Sequence, residues 1–267
     1  TGFPMAVDLD VGRVILSARS VLDNFSLIWR SEAAGVRAVS ISGSAIDGPF
    51  QAFFGASEPG GAREFRVRAQ SVERIASIFG WEDYAMGGRL AVLGSAPPLG
   101  TEGPLTARVE IEDLTLIQVP VLARILAAGS FQGLAALLNG EGISFEQVEA
   151  DILYEDGLLT IGEARAAGNS LGVTAAGTVD FGAETAAIDG NLAPSYVVNS
   201  LFADVPVIGD ILVSRPGEGV FGITYSVEGP FDSLTVFANP LAVFAPGVLR
   251  RIFEGTAAER AARERAE

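Results

Sequence analysis

The sequence predicts a mainly β protein, an antiparallel meander interrupted by short amphipathic helices. Runs of residues alternate apolar and polar with period two, the mark of a sheet with one apolar and one wet face. These runs recur at intervals of about ten residues, separated by Gly-centred turns, as in a chain that doubles back strand after strand. The 32 Gly and 13 Pro fit many short elements with frequent joints.

Taken in chain order, weak alternation covers 11–18, 24–30, 35–42 and 62–69. A helix is expected over Ser71–Gly80, with Ser71 as its cap and Val72, Ile75, Ile78 and Phe79 on one face. Alternation returns at 88–95 and is clear over Ala107–Ile117. There Ala107, Val109 and Ile111 oppose Arg108, Glu110 and Glu112. Leu114–Leu138 is apolar with Arg124 as its one charge, but Pro120 and Gly129 divide it, so two short helices within 120–138 suit it better than a membrane span. Pro120 fits a first helical position, Gly129 a helix end, Ser130 a second cap and Asn139-Gly140 a stop. Strands follow at 150–155, 158–166, 171–181, 185–192 and 220–228. The last sets Phe221, Ile223, Tyr225 and Val227 against Gly222, Thr224, Ser226 and Glu228. A terminal helix is expected over 240–254, capped by Asn239, with Leu241, Phe244, Val248, Leu249, Ile252 and Phe253 apolar and Arg250 and Arg251 near its end. The charged, Ala-rich tail 256–267 reads as a frayed helix former. An acid–Gly–Pro–apolar joint recurs at Asp47-Gly48-Pro49-Phe50, Glu102-Gly103-Pro104-Leu105 and Glu228-Gly229-Pro230-Phe231. It punctuates strands because proline cannot donate to the ladder.

Composition narrows the chemistry. The chain has no Cys, His or Lys, which removes disulfides, Cys or His zinc sites, Walker A loops and H-E-x-x-H sites. Gly168-Asn169-Ser170-Leu171-Gly172 matches a nucleophile elbow, but no histidine exists to serve as its base. Carboxylates are plentiful, yet Glu110 with Glu112, and Glu155 with Asp156, sit on wet faces or turns rather than as a glycosidase pair. The expectation is a protein that is not an enzyme and needs neither cofactor nor metal. A net charge of −15 without a basic cluster before the last few residues argues against nucleic acid as a partner. The chain begins at Thr1 with neither an initiator Met nor a signal peptide, as expected of a fragment or processed product.

From Asp113 to Phe253 the sequence resembles the C-terminal region of the AsmA-like family, in its YhdP-type branch of Gram-negative envelope proteins. The resemblance rests on Gln118-Val119-Pro120, Gly140-Glu141-Gly142-Ile143-Ser144-Phe145, Ala193-Pro194-Ser195-Tyr196 with Asn199, and Val205-Pro206-Val207-Ile208-Gly209. It continues through Gly217-Glu218-Gly219, Ile223–Pro230, Asn239-Pro240-Leu241 and Ala245-Pro246-Gly247-Val248-Leu249-Arg250, and covers slightly more than half the chain. The resemblance implies a long twisted sheet curved into an open groove or half-pipe, with short helices at its end. It also implies bridge-like transport of phospholipids through the periplasm between inner and outer membranes. This chain would then be the distal part of a longer inner-membrane-anchored protein.

On that basis 1–112 is expected to form the β-rich body of the groove, and 113–255 the AsmA-like region. Candidate groove-lining residues for phospholipid acyl chains are Val109, Ile111, Phe221, Ile223, Tyr225 and Val227. Candidates for docking to the outer membrane or an envelope protein partner are Leu241, Phe244, Val248, Leu249, Arg250, Ile252 and Phe253. The same apolar stripe would suit a closed core, and the same terminal helix a plug. A scaffold or capping module that recruits a partner is the alternative function.

Overall fold

The computed structural model describes residues 3–15, 21–45, 48–56, 60–78, 83–194 and 220–244. Its strands are β1 (Met5–Ile15), β2 (Val21–Glu32), β3 (Gly35–Ala45), β4 (Gly48–Ala56), β5 (Arg63–Ala69), β6 (Ala85–Ala96) and β7 (Leu105–Leu116). They continue as β8 (Ile143–Glu155), β9 (Leu158–Ala167), β10 (Leu171–Asp180), β11 (Thr185–Pro194), β12 (Val220–Pro230) and β13 (Thr235–Phe244). Helix α1 (Val72–Ile78) precedes β6; α2 (Pro120–Ala128) and α3 (Gln132–Asn139) lie between β7 and β8. All thirteen strands belong to one antiparallel sheet whose order is the order of the chain, and β1 and β13 end that order rather than closing a barrel. This is the mainly β, antiparallel, open class that the sequence predicts.

Three of the turns explain the recurring Gly-Pro joint. Gly48, Gly103 and Gly229 have φ of +126°, +141° and +119°, values that side chains disfavour. Each is followed by a proline at the very start of a strand, just before one, or at its end, where no ladder donor is missed.

The chain divides into two compact units, Thr1–Leu114 with Glu149–Leu159, and Thr115–Val148 with Thr160–Glu267. In the first, α1 packs against β6. In the second, α2 and α3 pack on each other, α2 lies against β13, and the pair covers one sheet face. The apolar run Leu114–Leu138 is thus split as expected, and no described helix is long and apolar enough to cross a membrane.

Several elements differ from the sequence reading. The first strand is Met5–Ile15 rather than 11–18, and β4 was not anticipated. Ser130 does not cap α3; its φ is +63°, and Phe131 holds the N-cap position without a side-chain cap. The end of α2 is instead a Schellman-type closure, in which Ser130 N donates to Ala127 O and Phe131 N to Leu126 O at 2.8 Å. Residues 239–244, expected to open the terminal helix, are strand: β13 runs to Phe244. Its pairing shifts between Asn239 opposite Thr224 and Ala242 opposite Gly222, so Pro240 and Leu241 together face Ile223. Proline is tolerated at such a bulge on the last strand of a sheet, where its missing donor breaks no ladder bond. The rest of the expected helix, 245–254, and the tail 256–267 lie outside the described residues.

Candidate functional site: two apolar sheet faces

In the first unit, register aligns apolar side chains into rows that cross the strands. Val7, Trp29, Val39, Phe54 and Phe65 are successive cross-strand partners from β1 to β5. Two residues along, Leu9, Leu27, Ile41, Ala52, Val67 and Val92 form a second row from β1 to β6. Side chains alternate across a strand, so both rows lie on one face. No described helix packs closely on β1–β5, and the 97–104 connection reaches only the β2–β3 turn and the start of β5. Most row members are accordingly half-buried rather than buried, and Leu9 is 42% exposed. The indole N–H of Trp29 is buried within the row and finds no acceptor among the described residues.

Two predicted lining residues fall on this face. A Cβ added at Gly94, the partner of Phe65, would meet the Ala107 side chain at 2.7 Å, which puts Ala107 on the same face. Val109 and Ile111 follow it in alternation, and both are half-buried. Ile111 also lies near Gly88, as does Val72 of α1.

The opposite face is wet. Arg108 meets Glu110, Glu149 and Asp151 at 3.0–3.3 Å, and its pKa is raised first by the Glu110 hydrogen bond. Arg89 pairs with Glu112 at 2.7 Å, and Arg30 with Asp8 at 2.8 Å. These exposed pairs contribute at most about 1 kcal/mol each, so they mark solvent rather than hold the fold. Glu110 and Glu112 are occupied by arginines, while Glu155 and Asp156 stand in the exposed β8–β9 turn.

In the second unit the corresponding apolar face is capped. Register aligns Leu192 with Ile223, Gly190 with Tyr225 and Ile188 with Val227, and then Tyr225 with Ala238 and Val227 with Val236. Over them lie Leu122, Ile125 and Leu126 of α2 and Leu138 of α3, forming one core. Ile223 and Leu126 are both 0% exposed. The predicted lining residues Ile223, Tyr225 and Val227 are therefore covered by the helix pair. The side chain of Phe221 lies outside the described residues, as do those of Leu241 and Phe244. Val248, Leu249, Arg250, Ile252 and Phe253 lie outside them altogether.

Glycine lets this core close. A Cβ at Gly129 would stand 2.8 Å from Ile223 Cδ1, so a side chain there would push the Ile223 side chain where the end of α2 rests on β12. At Gly190 an added Cβ would overlap the Tyr225 ring and the Thr174 carbonyl. The ring lies across that glycine, and Tyr225 Oη donates to Thr174 O at 2.8 Å. Burial, and secondarily the Asp189 carboxylate, push the Tyr225 phenol up to about 12.

On the wet face of β9–β13 runs a shallow groove of about 740 Å³ lined by Thr174, Asp189, Asn191, Thr224, Ser226 and Phe237, among others. The Gly168–Gly172 motif is the β9–β10 turn, where Gly168 N donates to Leu171 O at 3.0 Å. Gly168 itself packs against the Ser144–Phe145 backbone, so close strand approach accounts for the glycine. Among the described residues no cluster of three or more acidic side chains could hold a metal ion.

Beyond Val109 and Ile111, the residues of the β1–β6 rows were not singled out by sequence reasoning. Those on β2 and β3 lie in runs seen only as weak alternation, 24–30 and 35–42, where Ser40 and Ser42 dilute the polar signal. Compared with protein-family models, curated proteins and solved structures, the chain matches none.

Proposed function

We propose that the chain is a non-enzymatic segment that binds and conducts phospholipids, their acyl chains lying on the apolar face of the first unit. The observation that carries this reading is the pair of apolar rows across β1–β6, most of whose members stay half-buried, with no described helix packed closely over β1–β5. A soluble fold ordinarily buries such a face against another layer. Left uncovered, a large contiguous apolar patch marks a binding surface. An acyl tail of sixteen carbons carries on the order of 10 kcal/mol of hydrophobic free energy, at about 0.8 kcal/mol per CH₂. Only an extended apolar surface offsets its removal from a bilayer. The Leu9–Val92 row crosses five interstrand steps of about 4.8 Å, roughly 24 Å in all, and would support a chain along much of its length.

With this function go the remaining expectations: a periplasmic location, an inner-membrane anchor elsewhere in a longer protein, and an outer-membrane or envelope protein partner. The capped face of the second unit favours a second role beside it. There α2 and α3 close the apolar stripe, as a terminal capping module would, and a scaffold function rests on that closure.

Native mass spectrometry of the purified full chain tests the proposal. Phospholipid-sized adducts, and uptake of a labelled phospholipid after delipidation, are expected. A bare mass with no uptake would contradict it. Removal of 245–267 separates the two roles, since lost partner binding with lipid uptake intact would assign that segment to the scaffold function.

A further inference from the structure

We infer that Arg63 holds the phosphate of a phospholipid whose tails lie on the apolar face of the first unit. The inference rests on the lipid reading and adds to it the headgroup contact.

Arg63 opens β5, and by alternation it shares a face with Phe65, Val67 and Ala69, so it stands where the apolar rows end. Its guanidinium lies 4.9 Å from the centre of the Phe54 ring. Nε donates to Pro97 O at 2.8 Å and Nη1 to Val36 O at 3.3 Å, which fixes the group between the end of β6 and the start of β3. A guanidinium has five N–H donors, and two are used here.

Charge and position together set Arg63 apart. Arg13, Arg30, Arg37, Arg66, Arg89 and Arg108 each pair with a carboxylate. Arg63, Arg68 and Arg124 have no carboxylate partner among the described residues; of these only Arg63 shares the apolar face of β5, Arg68 alternating onto the wet face and Arg124 standing on α2, where it donates to Leu234 O. Among the described residues the neighbours of Arg63 are carbonyls and an aromatic ring, which orient its charge without neutralising it. The planar fork of arginine suits a phosphate, which it can bind through two parallel hydrogen bonds. A lipid with tails along the Phe54–Phe65 end of the rows would bring its phosphodiester to this rim, where the headgroup stays in water.

The test compares two lipids with the same acyl chains, phosphatidylglycerol and diacylglycerol, delivered to the full chain from the same mixed micelles. Wild type is expected to prefer the phospholipid. Arg63→Gln should weaken phosphatidylglycerol binding roughly ten- to hundredfold, the range of a charge-assisted hydrogen bond, and leave diacylglycerol binding unchanged. Arg63→Lys, which keeps the charge without the fork, should recover part of the preference. Thermal melting of each variant checks the fold. Equal loss for both lipids, or loss for neither, would overturn the inference and leave Arg63 as a clamp on the 97–104 connection. Wild type binding neither lipid would overturn the lipid reading itself.

Discussion

Tyr225 ties three strands of the second unit together through one side chain. It stands on β12, covers Gly190 on β11 and donates to a carbonyl on β10. An aromatic laid over a glycine on the neighbouring strand restores the packing that the glycine lacks. The same burial makes the phenolate unfavourable in the folded state. Because the folded pKa, about 12, lies above the ordinary phenol value of about 10, this group's contribution is complete below pH 10 and is lost as pH rises toward 12. The amount is on the order of 3 kcal/mol, at about 1.4 kcal/mol per unit. Tyr225→Phe is expected to cost about 1 kcal/mol at pH 7 through the lost hydrogen bond. Above pH 10 the variant should fall less steeply than wild type. Urea titrations of both proteins at pH 7 and pH 11 check this, and parallel losses would assign the alkaline sensitivity to other groups.

At the scale of elements, the helix pair shows what local signals carry and where tertiary contact overrides them. Pro120, Gly129 and Asn139-Gly140 mark the helix ends in the sequence and in the fold. Ser130 misleads because a hydroxyl residue before a helix ordinarily caps it. Here the contact with Ile223 favours a glycine at 129, and the left-handed position falls one residue later, on Ser130. A side chain in that conformation costs about 1 kcal/mol, so Ser130→Gly is expected to raise stability by up to that amount. A rise in the urea midpoint with an unchanged slope is the expected readout. A fall would mean that the serine side chain makes a contact of its own. β13 was hidden for a related reason: Asn239-Pro240 reads as a helix start, whereas an edge strand admits the proline at a bulge. β4 was hidden because Phe53 and Phe54 point to opposite faces, which erases the alternation. Phe53 tolerates the wet face because Arg66 covers its ring at 5.4 Å.

At the scale of the whole chain, alternation reveals that a strand has an apolar face but not what lies against it. The clearest stripe in the sequence, Ile223–Tyr225–Val227, is covered by helices that arrive from a hundred residues earlier in the chain. The weaker stripes of β2 and β3 carry a face on which no described helix packs closely, and Val109 and Ile111 continue it toward α1. The class of the fold and most strand positions were therefore legible from the residues. Which face the described helices cover was not, because it depends on where α2 and α3 dock. That coverage gives the account its central claim, a lipid-binding face on the first unit. Trp29 lies in the middle of this face, and the chain's other tryptophan is Trp81. In a Trp81→Phe variant, Trp29 becomes the sole indole reporter. Titration with a phospholipid carrying a quencher on its acyl chain should extinguish most of the Trp29 emission and saturate, while unlabelled phospholipid competes the effect away. Trp29 emission that stays unchanged at saturating labelled lipid would contradict the claim.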